Sequence, residues 1–428
     1  MENNALLATC IFICAYILIV SEKIHRTVVA LVGAVLMILT GILSQEIAVH
    51  HIDFNTLGLL IGMMIIVNIT SETGLFNFLA IWSAQKVKGE PVKLLIVLSL
   101  LTAVCSAFLD NVTTVLLTVP VTFSITSQLK VSPKPFLIAQ ILASNIGGAA
   151  TLIGDPPNIM IGSAVKEMNF LAFLDNLGIV SCIILIVTVY ILTLIYRKLL
   201  CTEAELKAKI MSLNAHSQIT KPQLLKKCLA VLAFTILLFA THNLFHLETA
   251  TVALTGASLL LAITFNRNEE FLAKIFSKIE WLAIFFFAGL FMLVGALIET
   301  GVIQLLAEEA IKITEGNVTA STILILWLSA IASAFIDNIP FVATMIPLIK
   351  GMGVMGMTNL EPLWWSLALG ACLGGNGTLV GASANVIVAG MAAQRGHQLS
   401  FIKYMYIGFP IMLLSVLIAN IYIYCRYL

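Results

Sequence analysis

The hexapeptide SAFLDN at 106–111 returns as SAFIDN at 333–338, and GGAATLIGDPPN at 147–158 returns as GGNGTLVGASAN at 374–385. ETGL at 72–75 returns as ETGV at 299–302. All three pairs share one offset, 227 residues (106 to 333, 147 to 374, 72 to 299), and Pro120 and Pro347 keep it. Matches held at a single offset over such a span mean duplication rather than chance. The chain must therefore fold as two copies of one unit. Repeat 1 is assigned to 1–200, a linker to 201–227 and repeat 2 to 228–428.

Composition says which solvent the unit is built for. Of the 428 residues, 60% are hydrophobic and 11% charged, with mean hydropathy +1.04. Soluble domains carry about a quarter charged residues, so this chain is an all-α polytopic membrane protein. Apolar stretches of spanning length recur at 28–43, 178–196, 228–245, 281–298 and 404–425. The first, 5–20, has no basic leader and no small-residue cleavage site, and reads as a retained helix. Lys and Arg mark the cytoplasmic loops of such proteins. Loops at 21–27, 86–93, 128–135, 197–227, 266–278 and 395–403 hold all of the 23 Lys and Arg except Lys166, Lys312, Lys350 and Arg426. The opposite loops are acidic, with Glu299, Glu308, Glu309 and Glu315. This assignment alternates without conflict and puts both chain ends outside a bacterial inner (plasma) membrane.

Each repeat then holds five crossings and one excursion that returns to its own side, 92–127 in the first and 319–349 in the second. An excursion of that kind is either two full crossings or a re-entrant hairpin. About ten transmembrane helices result, with helix breaks expected at the Gly- and Pro-rich motifs. An odd number of crossings inverts repeat 2 relative to repeat 1, the arrangement of secondary transporters.

Three carboxylates fall within the expected membrane, Asp110, Asp155 and Asp337, and no Lys or Arg does. Each costs roughly 2.5–3.5 kcal/mol at a helix centre, so intramembrane acids point to a functional site. Asp110-Asn111 and Asp337-Asn338 follow one apolar run and precede another. Gly147, Gly148, Gly154, Pro156 and Pro157 interrupt a helix in repeat 1, and Gly374, Gly375, Gly377 and Gly381 do so in repeat 2. Broken backbone survives at this depth only where it is buried or lines a cavity. Thr113, Asn145, Thr151, Asn158, Asn376, Thr378, Ser383 and Asn385 add neutral ligands beside the breaks. A Na⁺ site is expected at Asp110, Asn111, Asp337 and Asn338. The plainer reading makes the acids helix caps, with Asp155 an N-cap ahead of Pro156. Asp155 has no acidic counterpart, because Ala382 stands at its repeat position.

These motifs resemble the ion transporter superfamily of arsenite permeases, D-type bacterial sodium/proton antiporters, citrate transporters and divalent anion/sodium symporters. SAFLDNVTTVLLTVPV and NIGGAATLIGDPPNIMIG are most similar to the P protein (pink-eyed dilution) branch, and the likeness covers nearly the whole chain. The resemblance implies a homodimer of protomers with a scaffold domain and a mobile transport domain, about 92–165 plus 319–395. Two re-entrant hairpins would be tipped by the Asp-Asn pairs, two helices broken at 154–158 and 381–385, and motion elevator-like. The divalent anion symporters carry Ser-Asn-Thr at the tips, where this chain has Asp110-Asn111-Val112 and Asp337-Asn338-Ile339. A carboxylate in place of a hydroxyl makes the site less hospitable to a di- or tricarboxylate and favours Na⁺ or H⁺.

The leading expectation is a secondary transporter exchanging Na⁺ for H⁺, with no cofactor beyond those ions. The alternatives are Na⁺- or H⁺-coupled transport of an anion or arsenite, a passive ion channel, and an intramembrane aspartyl protease using Asp110 and Asp337 as a dyad. No phosphate-binding loop suggests ATP-driven pumping, and the charges, confined to short loops, do not suggest nucleic acid. The scattered cysteines contain no CxxC pair, and His242 and His246, at helical i,i+4 spacing, are expected at an exposed interface rather than on a metal. Single cysteines in a Cys-free background, labelled from one side by an impermeant reagent, should place 128–135 and 197–227 together and 299–318 opposite. Labelling of 197–227 and 299–318 from the same side contradicts the inverted arrangement.

Overall fold

The computed structural model describes residues 2–21, 23–264 and 269–428, so residue 22 and residues 266–268 of the expected basic loops lie outside the described residues. Repeat 1 begins with α1 (Glu2–Ser21), α2 (Arg26–Leu39), α3 (Gln45–His50), α4 (Phe54–Ser71) and α5 (Leu75–Lys86). It continues with α6 (Pro91–Phe108), α7 (Asn111–Gln128), α8 (Lys134–Ala149), α9 (Pro156–Ala164) and α10 (Phe170–Tyr196). The linker carries α11 (Ala204–Met211). Repeat 2 follows with α12 (Pro222–Thr241), which starts inside the assigned linker, six residues ahead of 228, then α13 (Thr249–Thr264), α14 (Glu269–Ser277), α15 (Trp281–Glu299) and α16 (Val302–Thr314). It ends with α17 (Val318–Phe335), α18 (Asn338–Val354), α19 (Glu361–Gly374), α20 (Ser383–Gln394) and α21 (Phe401–Tyr427). Each of the ten helices of repeat 1 has its partner, in order, in repeat 2.

The ten crossings are α1, α2, α4, α8 with α9, α10 and their five counterparts. Leu6, Ile13 and Ile17 of α1 and Ile179, Ile186 and Tyr190 of α10 are exposed, an apolar surface of the kind that lipid covers. The two ends of the bundle separate as the charges require. At one end Gln85 donates to the carbonyl of Leu213 (2.6 Å), Thr202 to that of Leu129 (2.6 Å) and Lys274 to Glu72 (2.7 Å), while Arg395 stacks on Phe123. These contacts gather the basic loops. Partial burial pushes the Glu72 carboxyl upward, but hydrogen bonds and charge from Lys274 and Lys278 outweigh it and hold the group below its usual range. At the other end His51 meets Glu299 (3.1 Å), Lys166 meets Glu248 (3.2 Å) and Arg426 meets Asp175 (2.6 Å). The His pair departs from expectation. His242 is buried and bonds the carbonyl of Leu247, while His246 is exposed in a left-handed turn, because the chain leaves the α-helix at 242.

α6 and α17 are long and apolar enough to span. Leu109-Asp110 and Ile336-Asp337 nevertheless end them, α7 and α18 begin within two residues, and each tip is bonded to the break of a helix, at Thr151 and Thr378. The excursions are hairpins, entering from opposite ends and meeting at the breaks between α8 and α9 and between α19 and α20. Within these units α6 packs on α8 and α17 on α19, with α10 and α21 alongside; α2 packs on α15 and α4 on α13.

Close approach of hairpin to broken helix demands glycine. A Cβ on Gly147 would sit 2.2 Å from the Ala103 carbonyl oxygen, and one on Gly374 would sit 2.4 Å from that of Ala330, the same contact in both repeats. The obstacle is backbone, so the helices must part. Gly147→Ala and Gly374→Ala should each destabilise by about 1–3 kcal/mol, the usual range for overpacking. Gly390, with nothing within 4 Å, is the control. Thermal unfolding in detergent should show lowered midpoints for the first two and an unchanged one for Gly390→Ala.

Candidate ion-binding site

The two tips are built alike. α6 ends where Leu109 turns extended, and Asp110, also extended, N-caps α7 by accepting from the Thr113 amide (2.8 Å) and the Thr113 hydroxyl. Asp337 caps α18 by accepting from the Ile339 amide (3.2 Å). Both acids therefore do cap helices.

The breaks are braced by side chains at matching positions. Thr151 donates to the tip carbonyl of Ala107, and Thr378 donates to that of Ala334 (2.5 Å). The Asn158 amide donates to the carbonyls of Gly148 (3.2 Å) and Thr151 (2.9 Å). That of Asn385 donates to Gly375 (2.7 Å) and Thr378 (2.9 Å). Asn158 and Asn385 satisfy carbonyls at the breaks, and Thr151 and Thr378 satisfy carbonyls in the last turns of α6 and α17. A buried amide chain joins the repeats: Asn111 donates to Asn145 (3.2 Å), and Asn145 donates to Asn376 (3.0 Å) and Asn385 (3.0 Å).

Asp155 occupies the N-cap position of α9 but makes no capping bond. Its carboxylate, 1% exposed, turns to the opposite hairpin and takes the Asn338 amide at 3.4 Å on both oxygens. The plain capping role expected from Pro156 does not describe this side chain.

Asp110, Asn111, Asp155, Asn338 and Ser383 line one small cavity, about 30 Å³, where the tips meet. Two further groups reach it that were not among the expected site residues. Arg26, the first residue of α2, donates through one guanidinium nitrogen to Asp337 (2.5 Å) and Ser383 (2.8 Å). Glu280, just ahead of α15, lines the same cavity. The expectation that no Arg or Lys enters the membrane is thus corrected. At 1.5 Å per residue the 14 residues of α2 extend about 21 Å, short of a hydrocarbon core of about 30 Å, so α2 starts below the surface. That shortness was the available signal for Arg26. For Glu280 it was the 227-residue offset, which maps it onto another acid, Asp53.

Beyond Arg26 lies a cleft of about 270 Å³, lined by Ile24, Phe335, Asp337, Val380 and Ser383. Arg26 and Ser383 line both spaces, so the guanidinium stands between cleft and cavity. Asp110 and Asp337 share no hydrogen bond, and each is held by different partners. A protease dyad needs two carboxyls sharing a proton. Among the described residues no group of three or more His, Cys, Asp and Glu has metal-holding geometry, and the described cysteines are free.

The site has recognisable kin. Residues 16–370 match the family model described as CitMHS, citrate transporter. An uncharacterized transporter of Mycobacterium tuberculosis is 42% identical over 99% of both chains, and a 46 kDa membrane protein of Mycobacterium leprae is 39% identical over 99% of both. The human P protein is 36% identical over 99% of this chain, which spans 60% of that protein. The crystal structure of the Alcanivorax borkumensis YdaH transporter covers 98% of this chain with TM-score 0.57 at 14% identity, a likeness of fold. With a matched family model over most of its length and full-length relatives named as transporters, the chain belongs to the CitMHS citrate transporter family and is a membrane transporter rather than an enzyme.

Proposed function

We propose that this transporter is secondary active and exchanges Na⁺ for H⁺ at the cavity between the hairpin tips. The observation that carries the reading is the balance of the site: Asp110, Asp155 and Glu280 line the cavity, and the one guanidinium that also lines it, Arg26, is already paired with Asp337. At 4 Å and an effective dielectric constant of 20, each charge pair is worth about 4 kcal/mol, favourable for a cation and unfavourable for an anion. A space of about 30 Å³ suits a bare ion or one water, not a tricarboxylate.

The site draws on two sets of helices, which supports elevator-like motion. Asp110, Asp155, Asp337 and Ser383 belong to the proposed mobile part, 92–165 with 319–395, and α10 and α21 pack on it and would travel with it. Arg26 and Glu280 belong to the proposed scaffold, through which two protomers would pair. The basic end would face the cytoplasm, leaving both chain ends outside. A second reading, an organic anion carried with the same cation, is favoured by the family's description and by the guanidinium in the 270 Å³ cleft. Arg26 is already paired with Asp337, so such an anion must first displace it.

Asp110→Asn and Asp337→Asn keep size and polarity but remove charge. Each should abolish Na⁺-dependent flux in proteoliposomes while leaving expression and assembly largely intact; normal transport by both variants reduces these acids to caps. Asp155, with no cap bond, long contacts to Asn338 and the Cys372 thiol beside it, is held by neither a cation nor a helix cap, which suits it to exchange a proton. Asp155→Asn should flatten the pH dependence of flux between about pH 5.5 and 9 more than it weakens Na⁺ affinity. An unchanged pH profile with lost affinity instead makes Asp155 a cation ligand.

A further inference from the structure

The scaffold is as clearly duplicated as the hairpins, and its two ends can be matched residue by residue. Gly62 and Gly289 stand at equivalent positions, 227 residues apart. A Cβ on Gly62 would meet Ala253 of α13, and one on Gly289 would meet Ala30 of α2. Ala253 is thus the partner of Ala30, and four residues earlier Thr249 is the partner of Arg26. The same register appears in hydrogen bonds. Thr27 donates to the carbonyl of Leu282 (2.7 Å), and Ala250, its partner, donates to the side chain of Asn55 (2.8 Å), the partner of Leu282. By this register Glu248 stands where His25 does, and Asp53 where Glu280 does.

The two ends therefore differ at two aligned positions, Arg26 against Thr249 and His25 against Glu248. At the α1–α2 end a guanidinium grips the tip carboxylate; at the α12–α13 end the equivalent residue is a threonine. Lys166 lies at that second end, but it is exposed and paired with Glu248. Inverted repeats rock or gate against each other around a shared site, and exchanging the conformations of two equivalent repeats would give a state open to the opposite face. The contact of the α17–α18 tip with the α1–α2 connection is then replaced by contact of the α6–α7 tip with the α12–α13 connection. In that arrangement Asp110 faces Thr249 and Glu248, and Asp337 has left Arg26 behind.

We propose that Arg26 is a tethered counter-cation that displaces the transported cation from Asp337 at one face of the membrane only, making release at the α1–α2 face easier than release at the α12–α13 face. The Arg26 guanidinium (2.5 Å) and the Ser383 hydroxyl (2.7 Å) both donate to Oδ2 of Asp337, so a second cation at that oxygen must displace the guanidinium. Arg26 keeps 29% side-chain exposure, stacks on Phe286 (5.0 Å) and borders the open cleft, so it can swing away without crossing packed core. Because it sits on α2 and its partner on the α17–α18 tip, the same bond biases the protein toward the present arrangement. The inference rests on the cation reading of the site.

The test uses the full-length protein in proteoliposomes of defined orientation, with Na⁺ half-saturation of flux read from each face. Arg26→Gln should lower half-saturation about tenfold at the α1–α2 face, a coupling of about 1.4 kcal/mol, and move it less than twofold at the other face. Arg26→Lys should keep most of the asymmetry, which separates lost charge from lost packing. In parallel, amide hydrogen exchange over 336–340 should accelerate in Arg26→Gln and not in Arg26→Lys, as the tip loses its anchor. Weaker Na⁺ action at both faces with unchanged exchange overturns the inference, since the guanidinium then supports the site itself. Na⁺-dependent flux unaltered by Arg26→Gln overturns the inference and leaves the cation reading standing. Absence of Na⁺ dependence in the parent protein overturns both.

Discussion

A helix broken inside a membrane exposes carbonyls and amides to a medium that cannot hydrogen-bond them, and this structure depends on how that debt is settled. The answer comes from four side chains at two pairs of equivalent positions. Asn158 and Asn385 cap carbonyls of the preceding half-helices, and Thr151 and Thr378 tie each break to its hairpin tip. Leaving one such buried group unpaired costs about 1–3 kcal/mol, and more in hydrocarbon. Tip and break are thereby one unit, and the acids at the tips are carried into the middle of the bundle by backbone bonding, not by any attraction of their own. The glycines at 147 and 374 let the backbones close to the distance these bonds require.

Duplication explains the frame, and divergence from it explains the chemistry. The braces are symmetric, and so are the tip pairs Asp110-Asn111 and Asp337-Asn338. Charge is distributed asymmetrically around them: Asp155 faces Ala382, and Arg26 faces Thr249, across the same pseudo-twofold relation. A transporter with two identical faces has no built-in difference between loading and release. Here the protonatable acid and the guanidinium are the departures from symmetry, and both touch the opposite repeat, Asp155 through Asn338 and Arg26 through Asp337.

Much of this was legible in the sequence. The repeated SAF-(L/I)-DN and glycine-rich motifs located the tips and breaks, and the Lys and Arg distribution sorted the loops onto the ends where they gather. The side-chain directions were not legible. Thr151 and Asn158 read as ion ligands by type, yet their hydrogens go to backbone: Thr151 to the hairpin carbonyl of Ala107, Asn158 to carbonyls within its own break. Asp155 read as a site carboxylate or, more plainly, as an N-cap ahead of Pro156, and nothing in the sequence showed that its carboxylate would meet Asn338 of the other repeat. Arg26 was assigned to the 21–27 loop by its charge, and Glu280, between the 266–278 loop and the apolar stretch at 281–298, was not singled out. Only the approach of a hairpin tip from the other repeat brings the guanidinium against a carboxylate.

The central claim is that a cation, bound between the two tips, is moved in exchange for a proton. The most direct measurement is uptake of radioactive Na⁺ into proteoliposomes holding the purified protein, with an outward proton gradient imposed and no Na⁺ gradient. The account predicts saturable accumulation of Na⁺ above its external concentration, collapsing when a protonophore and potassium with valinomycin abolish the gradient. Flux that rises linearly with Na⁺ and only equilibrates it, or no Na⁺ movement under any proton gradient, would contradict the account.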